Sequence, residues 1–270
     1  MPRRSAVVVA LVGLIALAAC LWRAPPDRHV EMVVPRSQAG VTPEVAIVAA
    51  RFSRDDARLP APADAIVVVF DRDVDAVSLV PYAFLVVEAD GTRVLALEAV
   101  LAPASESDEN RSVTLWGDFG DPESNPPTDV IVVGTIYAED GTSMAGAAAK
   151  IEPWDAGTRA VVAETITPGP LRCPDARQVL RTYWSDQIRG VEPADLARVE
   201  IALGQGPARA PVGFDDHLGD GDASDDNVLD LCVDVDAPIV ELRIAAGTFV
   251  DAAGHPSAAV QLPVRDGPSG

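Results

Sequence analysis

Ile66-Val67-Val68-Val69-Phe70-Asp71-Arg72-Asp73 is an apolar, mostly β-branched run that stops at a charged turn. β-Branched and aromatic side chains favour extended backbone, and an unbroken apolar run suits a strand covered on both faces. At a shift of 113 positions, Val179-Leu180-Arg181-Thr182-Tyr183-Trp184-Ser185-Asp186 repeats the pattern. The same shift lays Ile47-Val48-Ala49 on Ala160-Val161-Val162, and Gly134-Thr135-Ile136-Tyr137 on Gly247-Thr248-Phe249-Val250. It also lays Gly141 on Gly254, and Ala147, Ala149 and Ile151 on Val260, Leu262 and Val264. With a small change of register, Val113-Thr114-Leu115 meets Leu229-Asp230-Leu231 and Asp118 meets Asp234. An offset that returns at both ends of a unit marks an internal repeat.

Two units follow, residues 44–152 and 153–264, each of the size usual for a β-sandwich. Turn pairs separate short apolar runs: Asp90-Gly91, Asp140-Gly141, Ala253-Gly254 and Asp266-Gly267. No stretch sustains a helical period. Single helical turns are expected at Pro193–Ala197 and Pro81–Phe84, because proline suits the first helical position. The expected fold class is all-β, two tandem sandwiches, with residues 265–270 as a disordered tail.

The chain opens on Arg3 and Arg4, then runs uncharged from Ala6 to Ala19. That is the basic and apolar order of a secretory signal, and Arg23 interrupts it early for a membrane span. It ends in Leu17-Ala18-Ala19-Cys20, whose small residues admit an extended backbone to a peptidase and whose thiol can take a thioether lipid. These four residues match a lipobox, so residues 1–19 resemble a bacterial lipoprotein signal peptide. The resemblance implies lipidation at Cys20 as the first mature residue. Leu21, rather than an aspartate, follows it, which resembles sorting to the outer membrane of a Gram-negative cell. Residues 20–43 carry Pro25, Pro26, Pro35 and Gly40 without periodicity and read as a flexible tether. The membrane partnership is thus expected to run through lipid on Cys20, held by about 0.8 kcal/mol per buried methylene.

Composition narrows the partners. The chain has 41 acidic against 21 basic side chains, a net charge of −20. Loss of Arg3 and Arg4 with the signal would take this to −22. Nucleic acid and anionic lipid surfaces both call for a basic patch, so no nucleic-acid partner is expected. Two cysteines remain beyond Cys20. In an exported chain Cys173 and Cys232 favour a disulfide closing a loop of about 60 residues, worth roughly 4 kcal/mol on chain entropy. Two buried thiols are the alternative, and the spacing fits no zinc motif.

The densest polar stretch is Asp215-Asp216-His217-Leu218-Gly219-Asp220-Gly221-Asp222-Ala223-Ser224-Asp225-Asp226-Asn227. Short carboxylates beside glycine turns are what a hard cation uses, so Asp216, Asp220, Asp222, Asp225 and Asp226 are candidate Ca²⁺ ligands. The EF-hand template fails, with Asp225 at the turn glycine and Leu231 at the terminal glutamate, and a solvated acidic loop explains the same residues. No other cofactor is expected. Gly117–Glu123 is acidic too, but reads as a Gly/Pro turn. The three histidines, His29, His217 and His255, lie in tether, acidic loop and turn. No Gly-x-Ser-x-Gly elbow and no phosphate-binding glycine loop occurs. Tyr183 and Trp184 are adjacent, so on a strand they point to opposite faces rather than form one aromatic platform.

Several turns carry a family likeness. The strand ending Phe70-Asp71-Arg72-Asp73-Val74-Asp75, then Ser78-Leu79 and Pro81…Phe84, precedes Gly134-Thr135-Ile136-Tyr137-Ala138-Glu139-Asp140-Gly141. The second unit closes on Ala245-Ala246-Gly247-Thr248-Phe249-Val250-Asp251-Ala252-Ala253-Gly254-His255-Pro256, with His255 where asparagine is usual. Both units resemble the bacterial Ig-like domain of the SbsA (S-layer) type. That resemblance implies tandem Ig-like sandwiches in a spacer or adhesion-like role, supplies no catalytic residues, and leaves the partner as an envelope or extracellular protein. A calcium-dependent or small-ligand binding lipoprotein is the alternative, and an exported hydrolase a remoter one.

Overall fold

The structure is a computed structural model that describes residues 44–53, 64–104, 109–168, 173–215 and 227–267. The first half contributes β1 (Ile47–Ser53), β2 (Asp64–Phe70), β3 (Phe84–Glu88), β4 (Arg93–Leu95), β5 (Glu98–Leu101), β6 (Ser112–Gly117), β7 (Pro127–Val132) and β8 (Ala148–Lys150). They form two four-stranded sheets, β1-β2-β6-β5 and β4-β3-β7-β8. Period-2 alternation sends Ile66, Val68, Phe70, Val113 and Leu115 of one sheet, and Phe84, Val86, Val130 and Val132 of the other, into one shared core.

The second half contributes β9 (Ala160–Ile166), β10 (Gln178–Trp184), β11 (Ile188–Arg189), β12 (Val199–Leu203), β13 (Gly213–Asp215), β14 (Val228–Val233), β15 (Ile239–Ile244), β16 (Val250–Asp251), β17 (Val260–Pro263) and β18 (Arg265–Asp266). Sheets β13-β14-β10-β9-β18 and β12-β15-β17 enclose a second core, with β11-β16 as a separate ribbon. Leu180, Trp184, Leu229 and Leu231 meet Val199, Ile201, Leu242 and Ile244 there. Trp184 packs edge-on to Phe249 with ring centres 5.2 Å apart. The protein is all-β, built of packed antiparallel sheets. Its helical turns are Pro81–Ala83, with proline at the first position, and Asp195–Arg198.

The repeat extends to the register. Arg51 opposes Val67 and Ala49 opposes Val69 in the first half; Glu164 opposes Arg181 and Val162 opposes Tyr183 in the second. Both strand pairs bulge at one place, around Val48 and Val161. Asp71 N–H donates to Ala46 O and accepts at Oδ1 from Ala46 N–H; Ser185 does the same with Arg159 through N–H and Oγ. Equivalent residues in β2 and β10 are therefore 114 apart, not 113. Phe70 matches Trp184, and Val69 matches Tyr183. The shift expected from sequence is one residue short here because the β9–β10 connection is a residue longer, and a slip of one residue exchanges strand faces. A further correction concerns the C-terminus. Arg265 and Asp266, expected in a tail, form β18 and pair in parallel with Glu164 and Thr165. Asp266-Gly267, expected as a turn, therefore continues that strand, with Gly267 N–H donating to Thr165 O.

The apolar run Ile66–Phe70 is buried on both sides. Ile66, Val68 and Phe70 enter the first core, while Val67 and Val69 join Ala49, Ala104, Val162, Tyr183 and Val228 in a cluster where the two sandwiches meet. This seam joins the β1–β2 face to the β9–β10 face.

Candidate functional site

Charged residues ring the apolar centre of the seam, and most are buried. Arg181 Nε and Nη2 each lie 2.9 Å from an oxygen of Asp230 on β14, and Nη2 lies 2.9 Å from Glu109 Oε1 of the first sandwich. Burial opposes the charge on Arg181, yet Asp230 and Glu109 together hold its pKa above the ordinary value. Arg111 donates from Nε to Asp73 at 2.8 Å and places Nη1 3.0 Å from Glu164 Oε2. Its guanidinium lies over the Tyr183 ring, 4.7 Å from the centre. Burial pushes the Tyr183 hydroxyl well above its usual pKa, so the ring stays neutral beside both arginines. Arg265 reaches Glu164 at 3.4 Å and donates to Asp71 O at 2.8 Å. Asn227 donates to Ser112 Oγ across the seam and to Trp184 O beside it.

At the other end, Arg51 is 1% exposed and lies 2.6 Å from Asp251 and 3.3 Å from Asp186, with Trp154 O accepting from Nη2. Asp251 also accepts from the backbone of Ala253 and His255 and lies 3.1 Å from His255 Nδ1. Burial raises the Asp251 pKa, but the His255 backbone bond and Arg51 outweigh it and leave the carboxyl below its ordinary range. Trp154 rests against His255, ring centres 5.4 Å apart.

These ends occupy equivalent places in the repeat and differ in shape. The Arg51 end is nearly filled, with about 20 Å³ left beside Trp154 and Asp186. The Glu164 end opens as a cleft of about 540 Å³ between the sandwiches. Six acids line it, Asp71, Asp73, Glu139, Asp140, Glu164 and Asp266, against Arg72, Arg111 and Arg265. Arg72 is held by Asp140 at 2.5 Å. The net charge of the lining attracts cations and repels anions. The lining residues are carboxylates and arginines apart from Ala138 and Gly267, a surface suited to ionic recognition.

Of the site residues expected from sequence, Cys173 and Cys232 are among those the structure describes. Cys20 and Asp216, Asp220, Asp222, Asp225 and Asp226 lie outside the described residues, as does His217. Cys173 and Cys232 are bonded to each other, Cα atoms 5.4 Å apart, tying the β9–β10 connection to β14. After β6 ends at Gly117 the chain turns at Pro122–Ser124, where Asp121 Oδ1 accepts from Glu123 N–H, Ser124 N–H and Ser124 Oγ. Tyr183 and Trp184 do point to opposite faces, one into the seam and one into the second core. Among the described residues no group of three or more His, Cys, Asp or Glu is arranged to hold a metal. No helix among them is long and apolar enough to cross a membrane.

The seam residues escaped the sequence reading, although a signal was present. Glu164 and Arg181 interrupt otherwise apolar strands, and a charge inside a doubly covered strand must have a buried partner. Compared with known proteins, the chain matches no protein-family model and no curated protein.

Proposed function

We propose that the protein is an exported, lipid-anchored envelope protein that works without catalysis, as a spacer or adhesion-like binding module of tandem Ig-like domains of the SbsA type. The observation that carries this reading is Leu17-Ala18-Ala19-Cys20 behind a basic and apolar leader. The seam supports it. Tandem modules generally move against each other unless their interface is large and apolar. Here an apolar cluster and buried ion pairs join the halves, which suits a part that must keep its length. The acidic cleft and the net charge of −20 suit a cationic partner surface and disfavour nucleic acid.

The test is metabolic labelling of the full chain with an alkyne fatty acid in a Gram-negative host, followed by membrane fractionation. The native chain takes the label and sediments with membranes. Cys20→Ser loses both. A Cys20→Ser protein that keeps its label, or a native chain that never acquires one, defeats the lipoprotein reading.

A further inference from the structure

The two seam faces are equivalent in backbone and opposite in charge. Where the first half has Arg51, Arg72 and Glu152, the second has Glu164, Asp186 and Arg265 at the matching positions. The match is fixed by register: Glu152 bridges Arg51 in parallel as Arg265 bridges Glu164. Asp186, like Arg72, follows by two residues the core aromatic that ends its strand, Trp184 or Phe70.

We infer that this inversion is a recognition code, by which each seam face accepts the opposite half of the chain and rejects a second copy of itself. The observed contacts can be rewritten for like pairs. Two first halves would replace Asp186 opposite Arg51 by Arg72, and Glu164 opposite Arg111 by Arg51, so that arginines face arginines. Glu109 would meet Val67 in place of Arg181. Two second halves would set Glu164 against Asp186 and Asp251, with Asn227 in the place of Arg111. Arg51 and Arg111 would be missing from the buried sites they now hold, although Arg181 would keep Asp230. Breaking a buried pair costs enough to disfavour each like arrangement by more than about 100-fold. The face is thus an interaction surface with one partner, the complementary face of this chain. The duplicated fold keeps two near-identical sheets from pairing indiscriminately between molecules.

The test keeps the chain whole until it is assembled. A protease site is inserted after the exposed Asp155, between the halves, and the folded chain is cut. Cut protein is mixed with a ¹⁵N-labelled copy and examined by native mass spectrometry and gel filtration. The expected species pair a first half with a second half, and none pairs like with like. Glu164→Arg, which gives both faces arginine at that position, separates the cut halves, whereas the neutral Glu164→Gln keeps them together. Like-with-like complexes, free halves from the native sequence, or cut Glu164→Arg halves that still run as one would each overturn the code. The native-sequence arm decides the matter even if Glu164→Arg does not fold.

Discussion

Arg181 is the most heavily committed charge in the seam, and its removal should be the most damaging single change. It is 2% exposed and holds two carboxylates that are themselves buried, Asp230 and Glu109. Arg181→Val copies the residue at the equivalent place in the first sandwich, Val67. The apolar side chain fits a doubly covered strand, but both acids lose their cation. Breaking a buried ion pair costs about 3–5 kcal/mol. A chain of this size loses about 2–4 °C of melting temperature per kcal/mol, so a fall of roughly 6–20 °C is expected in calorimetry. The first sandwich also supplies the repair, because Thr114 stands opposite Val67 as Asp230 stands opposite Arg181. The triple variant Arg181→Val, Asp230→Thr, Glu109→Gln removes all three charges together. Replacing a complete buried network by uncharged residues is often neutral or stabilising, so most of the lost melting temperature should return. A single variant within about 3 °C of the native chain, or a triple variant as damaged as the single, would refute the claim that uncompensated charge dominates.

Other sites give sharper local tests. A Cβ on Gly157 would stand 2.0 Å from Pro256 O, a backbone atom, so Gly157→Ala should cost about 1–3 kcal/mol in urea unfolding; no change would mean that the connection yields freely. Replacing both Cys173 and Cys232 by alanine should cost about 2–5 kcal/mol, read by the same melts, and reduction should reproduce the loss. The Asp251 carboxyl titrates below its ordinary 3.8 in the folded protein, so its contribution is complete above that pH and fades as pH falls through the folded value. Asp251→Asn should therefore be less stable at neutral pH yet lose less on acidification, and parallel stability curves from pH 5 to 2 would sink that attribution. Calcium should leave the melting temperature unchanged if residues 215–227 are a solvated loop. A rise abolished by Asp220→Ala with Asp222→Ala would make them a metal site instead.

How much of this was legible depended on what each residue had to satisfy. Strand character at Ile66–Phe70 and Val179–Trp184 was plain, because covered strands admit little but branched and aromatic side chains. The Asp-Gly turns were also plain. Gly91 and Gly141 hold φ of 88° and 83°, while Asp90 and Asp140 each accept from the N–H two residues on. The charged seam was not. Arg51, Glu164 and Arg181 are each anomalous in their strands, but their partners Asp251, Arg111 and Glu109 lie far off in sequence and in the opposite half. Only the packing of one sheet on the other makes those pairs. Arg265 was misjudged for a related reason, since a two-residue strand carries almost no periodicity and is held by Glu164 on a neighbouring strand.

The two ends of the seam are unequal, one nearly filled and one an open cleft. Duplication alone would give two equal clefts, one at each end. At one end, Trp154 and the Asp251–His255 turn close over Arg51. At the other, Ala138 occupies the place of Asp251 and bridges Val74 as Asp251 pairs with Ile188, while Glu139 and Asp140 line the cleft. The open end is lined by carboxylates of both sandwiches, with Glu164 buried against Arg111 and Arg265 at its base. A spacer would need only the seam. The open acidic end is the feature that a spacer alone does not require, and its net negative lining suits a cationic ligand surface.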